Sequence, residues 1–223
     1  MPPSAPIGVF DSGVGGLSVL QALRAELPHE RFVYLADSAH APYGERGDDF
    51  VATRSLAIAD HLNAQHQVKA LVVACNTATA AAIAALRARH PTLPVVGVEP
   101  ALKPAVARTR SGCVGVMATR GTLNSARFAQ LRAAMPPRIE FVLQACDGLA
   151  HAIERGTVEP AADAQVHALC QRYTEAMGSI DTLVLGCTHY VFAQDTLRAL
   201  LGPGVALLDT GAPVARQTRR LLE

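Results

Sequence analysis

Cys75 and Cys187 each end a short apolar run and are followed at once by small polar residues, in Leu71-Val-Val-Ala-Cys75-Asn-Thr-Ala78 and Leu183-Val-Leu-Gly-Cys187-Thr-His-Tyr190. Such a run reads as a buried parallel strand, and the polar residues after it can open a helix. A thiol so placed lies at the carboxyl end of a strand, beside helix amides that favour thiolate over thiol. Two thiols in equivalent positions, 112 residues apart, predict a site with one sulfur on each side of a small substrate. His189, two residues after Cys187, is close enough to exchange a proton with that sulfur or to orient it.

A third element of chemistry is Asp11-Ser-Gly-Val-Gly-Gly16, an acid ahead of a glycine-rich turn. The glycines suit close backbone approach to a small carboxylate, with Asp11 and Ser12 engaging an ammonium group. A dinucleotide site competes, because Asp37 ends the next strand where a ribose-binding acid would lie. Against it, Ser18 occupies the third glycine position, and Asp11 would set a carboxylate where pyrophosphate must approach. Next, Tyr34-Leu-Ala-Asp37-Ser-Ala-His40-Ala-Pro42-Tyr43-Gly44 leaves a strand for a turn-rich loop whose amides can bind an anion. The eight His show no spacing that suggests a metal site.

The elements that must position these residues repeat. Ile7–Phe10 is echoed by Val114–Met117 and Phe32–Leu35 by Ile139–Val142, both at an offset of 107. Val95–Val98 is answered by Val205–Leu208 at 110. Helical patterns cover Leu17–Leu27, Phe50–His66, Thr77–His90 and Ala101–Arg108, then Asn124–Met135, Gly148–Glu154, Ala161–Met177, Val191–Leu201 and Pro213–Leu222. Strands alternating with helices predict an α/β chain of two pseudo-symmetric, doubly wound parallel-sheet domains with the active site at their interface. The last helix should return to the first domain, giving domain A as 1–97 plus 208–223 and domain B as 98–207.

Half the 223 residues are hydrophobic, enough for real cores, yet only 4% are aromatic and there is no Trp. Ala, Val and Leu must fill them. A net charge of +1 with scattered Arg gives no electrostatic footprint for nucleic acid. The most apolar stretch, Ala70–Leu86, contains Asn76 and two Thr and is too short to span a membrane. Met1-Pro-Pro-Ser lacks the regions of a signal peptide. Five Cys without CxxC pairing suit a reducing cytoplasm. Cys113 and Cys170 read as small packing residues, and Cys146 lies in a turn that could reach the cleft.

Together Asp11-Ser-Gly-Val-Gly-Gly16, Pro42-Tyr-Gly44, Cys75-Asn-Thr-Ala78 and Gly186-Cys-Thr-His189 resemble glutamate racemases, from Ile7 to about Leu222. The resemblance implies interconversion of L- and D-glutamate without cofactor, supplying D-glutamate for peptidoglycan in the cytoplasm. Cys75 and Cys187 would alternate as acid and base, Asp11 assisting Cys75 and His189 assisting Cys187, with Glu154 a further acid of the site. Ser12, Tyr43, Gly44, Asn76, Thr77 and Thr188 would hold the substrate, with Thr119 and Thr122 as additional contacts beside Asp11 and His189. No lysine has a context that suggests a pyridoxal Schiff base. Neither membrane nor nucleic acid is implied as a partner, and a homodimer is left open. Two departures stand out: Val191 replaces the proline usual after Gly-Cys-Thr-His-Tyr, and the chain stops at Glu223 where many relatives continue. A racemase for another acidic amino acid is the nearest rival. A binding protein, as in family members that inhibit DNA gyrase, is a second; both thiols, Asp11 and His189 speak against it.

Overall fold

The computed structural model describes residues 4–156 and 162–223. Two all-parallel four-stranded sheets follow one another along the chain. The first has the order β2-β1-β3-β4, built from β1 (Ile7–Asp11), β2 (Phe32–Ala36), β3 (Ala70–Val73) and β4 (Val95–Gly97). The second repeats it as β6-β5-β7-β8, from β5 (Cys113–Ala118), β6 (Glu140–Ala145), β7 (Thr182–Gly186) and β8 (Ala206–Leu208). Parallel neighbours require crossover connections, and the intervening helices supply them.

Register sharpens the repeat. Gly8 faces Val33 and Leu71, while Gly115 faces Val142 and Leu183. Val142 is thus the counterpart of Val33 in the repeat, an offset of 109 rather than the expected 107. In the last pair Leu71 faces Val95 and Leu183 faces Leu207, which makes that offset 112 rather than 110. Both corrections are of two residues. A two-residue slip leaves each side chain on its own sheet face, so the hydrophobic pattern alone could not detect it.

That alternation builds two cores per sheet. In the first, Phe10, Leu71 and Val73 pack on α2 (Asp48–His66) and α3 (Asn76–Arg89). Ile7, Val9, Val72 and Val96 point the other way, onto α1 (Leu17–Glu26) and onto Val214 and Ala215 of the C-terminal helix. In the second sheet Met117, Leu183 and Leu185 meet α7 (Leu149–Gly156), α8 (Ala162–Glu175) and α9 (Gln194–Leu201). Val114, Val116 and Val184 meet α4 (Leu102–Arg108) and α6 (Ala126–Ala133). The C-terminal helix, α10 (Gly211–Leu222), lies along α1.

The helical readings fail in two places near the chemistry. The helix expected over Asn124–Met135 is α6, which starts only after Ser125 caps it through its hydroxyl, and a short helix that was not expected, α5 (Arg120–Asn124), precedes it. The helix expected from Val191 begins instead as a 3-10 turn over Thr188–Ala193, before α9. Ala161, the expected start of another helix, and Met1-Pro-Pro lie outside the described residues. No described helix is long and apolar enough to cross a membrane.

Candidate active site

Asp11 is the last residue of β1 and fully buried. The Gly16 amide donates to Oδ2 at 2.6 Å, so the Asp11 carboxylate fills the amide end of α1 where a pyrophosphate would have to bind. Ser12 donates to Oδ1 at 3.4 Å, and Thr188, from the second half of the chain, donates to Oδ2 at 3.4 Å. Burial raises the Asp11 pKa, opposed by the His189 charge and by hydrogen bonds from Cys75 and the local amides.

Cys75 occupies the N-cap of α3, where its sulfur accepts the Ala78 amide at 3.5 Å and lies 3.9 Å from Ser12 Oγ. Ser, Thr, Asp or Asn at an N-cap stabilises a helix by about 1 kcal/mol over a poor cap. A sulfur here gives up part of that, which favours a chemical reason for the residue. The expectation that the helix end favours the thiolate is overturned. Burial first, then the Asp11 carboxylate, push the thiol well above its ordinary pKa, and charge on Cys187 adds to this. One amide contact does not outweigh full desolvation beside a carboxylate.

Cys187 follows β7 and precedes the 3-10 turn, with its sulfur 3.8 Å from His189 Nδ1. The other ring nitrogen, Nε2, lies 2.6 Å from Glu154 Oε2. Burial opposes the imidazolium, but hydrogen bonds to Cys187 and Glu154 overcome it and hold His189 well above its usual pKa. Glu154, on α7, also accepts the Val14 amide at 3.2 and 3.0 Å. Burial would raise its pKa, yet His189 and the Val14 amide bring it below the usual value. The glycine-rich turn passes directly against this dyad. A Cβ on Gly15 would sit 2.3 Å from His189 Nδ1 and 2.7 Å from Thr188 Oγ1, so only glycine fits.

Around the thiols the remaining predicted residues assemble. Asn76 is buried with neither Oδ1 nor Nδ2 hydrogen-bonded, a cost of about 1–3 kcal/mol that a polar ligand would remove. Thr77 and Thr119 share a hydrogen bond of 2.9 Å between the halves, and Thr119 donates to Thr122 at 3.0 Å. Gly44 packs on Thr119, and Tyr43 is buried with its phenol donating to Asp37 at 2.5 Å. Cys146 is buried beneath, donating to the Gln144 carbonyl at 3.4 Å, and its thiol is raised first by burial and then by charge on Cys187. Cys113 begins β5 and Cys170 lies within α8, as expected.

Sequence reasoning missed what Asp37 does. It accepts Arg54 Nε and Nη2 at 2.9 and 2.7 Å as well as Tyr43, with His40 Nδ1 at 3.0 Å. Arg54 lies half-buried on α2, and nothing in its local sequence separates it from any other helical arginine.

A family model of Asp/Glu/hydantoin racemases matches residues 15–218. A glutamate racemase of Ectopseudomonas mendocina is 53% identical over 220 residues, spanning 98% of this chain and 82% of the relative. Among solved structures, Escherichia coli glutamate racemase in complex with L-glutamate and the activator UDP-MurNAc-ala has a TM-score of 0.88 at 35% identity, covering 98% of this chain and 82% of that one. Francisella tularensis glutamate racemase in complex with D-glutamate has a TM-score of 0.82 at 31% identity, covering 98% and 81%. The chain belongs to the Asp/Glu/hydantoin racemase family.

Proposed function

We propose that the protein is a glutamate racemase, an isomerase that interconverts L- and D-glutamate by cofactor-independent 1,1-proton transfer and supplies D-glutamate for peptidoglycan in the cytoplasm. One thiolate takes the α-proton from one face of Cα, and the opposite thiol delivers its proton to the other face. The C–H bond broken and the C–H bond formed share one carbon, so the sulfurs end with their protonation states exchanged. Reaction in the other direction starts from that exchanged state.

The observation that carries this reading is the convergence of two cysteines, from equivalent strand ends of two like sheets, on one buried site. Ser12 lies 3.9 Å from the Cys75 sulfur and donates to Asp11, and Asp11 also accepts from Thr188, the residue after Cys187. In this reading the raised His189 sets an imidazolium beside Cys187 as that sulfur's proton partner. Cys75, whose thiol is held protonated, is set to donate. For the reverse direction the proton on Cys75 must leave, and Asp11 is the group in contact with it.

Asn76, Thr77, Thr119, Thr122 and Thr188 supply the polar lining for the two carboxylates and the ammonium, together with Ser12, Gly44 and Tyr43. The α-carbanion lacks an electron sink in this scheme, so fixed donors in a water-poor cleft carry the stabilisation. We place the domain boundary so that 1–97 with 208–223 forms one domain and 98–207 the other, supported by the packing of α10 on α1.

The deciding experiment incubates the protein with each enantiomer of glutamate and of aspartate in deuterated water, followed by chiral analysis and mass spectrometry. Racemisation of glutamate with one solvent deuteron at Cα is expected. Exchange with aspartate and none with glutamate would reassign the substrate.

A further inference from the structure

We propose that Asp37 and Arg54 are positioning residues for the reaction, bracing the Tyr43–Gly44 segment against the second half of the chain so that its backbone, not the Tyr43 phenol, faces the substrate. The inference rests on the racemase reading and adds to it a pair outside the cleft. Asp37 is buried at the end of β2, and three separate elements converge on its carboxylate. Arg54 of α2 makes a two-pronged contact, the Tyr43 phenol donates at 2.5 Å, and His40 approaches at 3.0 Å from the intervening turn. Burial opposes the charge, yet these partners hold the Asp37 pKa at about 2, so the carboxylate is ionised at any working pH.

The far side of the segment shows what the brace positions. Gly44 lies so close to Thr119 that a Cβ would meet Thr119 Cγ2 at 2.6 Å. Thr119 in turn hydrogen-bonds Thr77, which follows Cys75 by two residues. A short path therefore runs from Arg54 through Asp37, Tyr43, Gly44 and Thr119 to the residues beside the first thiol. The Tyr43 phenol is turned away along this path, its hydroxyl on Asp37. What the segment can offer a ligand is main chain, and main-chain position depends on the brace. A buried ion pair is weak evidence for stability, because desolvation offsets most of the attraction. Fixing the position of one loop is a better account of a planar fork, a phenol and an imidazole on one carboxylate.

The test is steady-state racemisation of each glutamate enantiomer by Arg54→Ala, Arg54→Lys and the parent, with thermal unfolding of each. Arg54→Ala should raise KM about tenfold or more, equally for both enantiomers because the brace serves neither thiol alone, with a smaller fall in kcat. Arg54→Lys keeps the charge and loses the fork, and should fall between. Added guanidinium at millimolar concentration should lower the KM of Arg54→Ala and leave the parent unchanged. Parental KM values in Arg54→Ala, or a raised KM that guanidinium does not lower in a protein of parental Tm, would overturn the proposal. If Arg54→Ala does not fold, Arg54→Lys decides: KM unchanged in both directions overturns the brace, and a rise at parental Tm supports it. Should the parent turn over aspartate but not glutamate, the substrate assignment fails and the same KM comparison on aspartate still tests the brace.

Discussion

The two thiols leave equivalent strands of equivalent sheets, yet their surroundings differ in kind. Cys75 caps a regular α-helix and has a buried carboxylate, Asp11, for a neighbour. Cys187 leads into a 3-10 turn, and its neighbour is an imidazole anchored by a second carboxylate. Topology alone would make the sites twins. The difference lies in one or two side chains per half: a carboxylate beside a buried thiol opposes its ionisation, whereas an imidazolium beside one favours it. The molecule is therefore symmetric in scaffold and asymmetric in the groups set beside its two sulfurs. A racemase acts on mirror-image substrates with chiral machinery, so this asymmetry need not equalise kcat in the two directions. Thermodynamics requires only that kcat/KM match, since the enantiomers are equal in energy.

The harshest test removes a sulfur. Cys75→Ser and Cys187→Ser should each lower racemisation by about a thousandfold or more, because a hydroxyl is a far weaker acid and base than a thiol. Cys75→Ser should also keep the fold, as serine is the better N-cap. Each variant should retain some deuterium exchange with only one enantiomer, read by mass spectrometry without net inversion. Either variant racemising near the parental rate would refute the two-thiol scheme.

A smaller effect separates the helpers. His189→Asn should depress kcat more in the direction where Cys187 is the base, and Asp11→Asn more in the other, each by about ten- to a hundredfold. Progress curves from each pure enantiomer measure this. If both variants slow the two directions in the same proportion, the pairing of one helper with each thiol is wrong, and both groups serve substrate binding instead.

Gly15→Ala carries the comparison into the backbone. The new methyl would meet His189 and Thr188, so it should disturb the second thiol's partner and reproduce the directional bias of His189→Asn, together with a loss of stability of about 1–3 kcal/mol from overpacking. Denaturant unfolding and the same progress curves read both. An equal loss in both directions would show that the turn moves as a body and does not press on His189 alone.

How much of this was legible in the sequence follows from the range of the forces involved. The apolar runs ending in Cys75 and Cys187 announced their strands, because parallel strands buried on both faces must be apolar throughout. Register slipped by two residues in two strand pairs, since hydrophobicity repeats every two residues and cannot see such a shift. The start of α6 is set by the Ser125 cap, one residue past where the helical pattern begins, and the five residues of α5 are too few for a helical period to show. At Cys75 the local rule, a helix end favouring thiolate, gave the wrong direction because burial and Asp11 act through the fold. Asp37 with Arg54 was out of reach for the same reason, its partners converging from a strand end, a turn and a helix.

The smallest expected effect concerns the anchor of the second thiol's helper. Glu154→Gln keeps a hydrogen-bonding group near His189 Nε2 and removes the charge that helps hold the ring protonated. A group whose folded pKa is raised stabilises the protein fully below its unfolded pKa and loses that contribution as pH rises through the folded value. For His189 the contribution is therefore complete below about 6.5 and fades above it. Glu154 has the opposite sign: its lowered pKa gives stability present above about 4.5 and lost as pH falls through the folded value. The parent should exceed Glu154→Gln in Tm most between these limits, near pH 5–6, by about 2–4 °C, and the gap should shrink towards alkaline pH as His189 loses its proton. Thermal unfolding of both proteins from pH 5 to pH 9 measures it. A gap that stays constant up to pH 9 would mean that Glu154 acts on the Val14 amide alone, and that the two thiols are less differently supported than their geometry indicates.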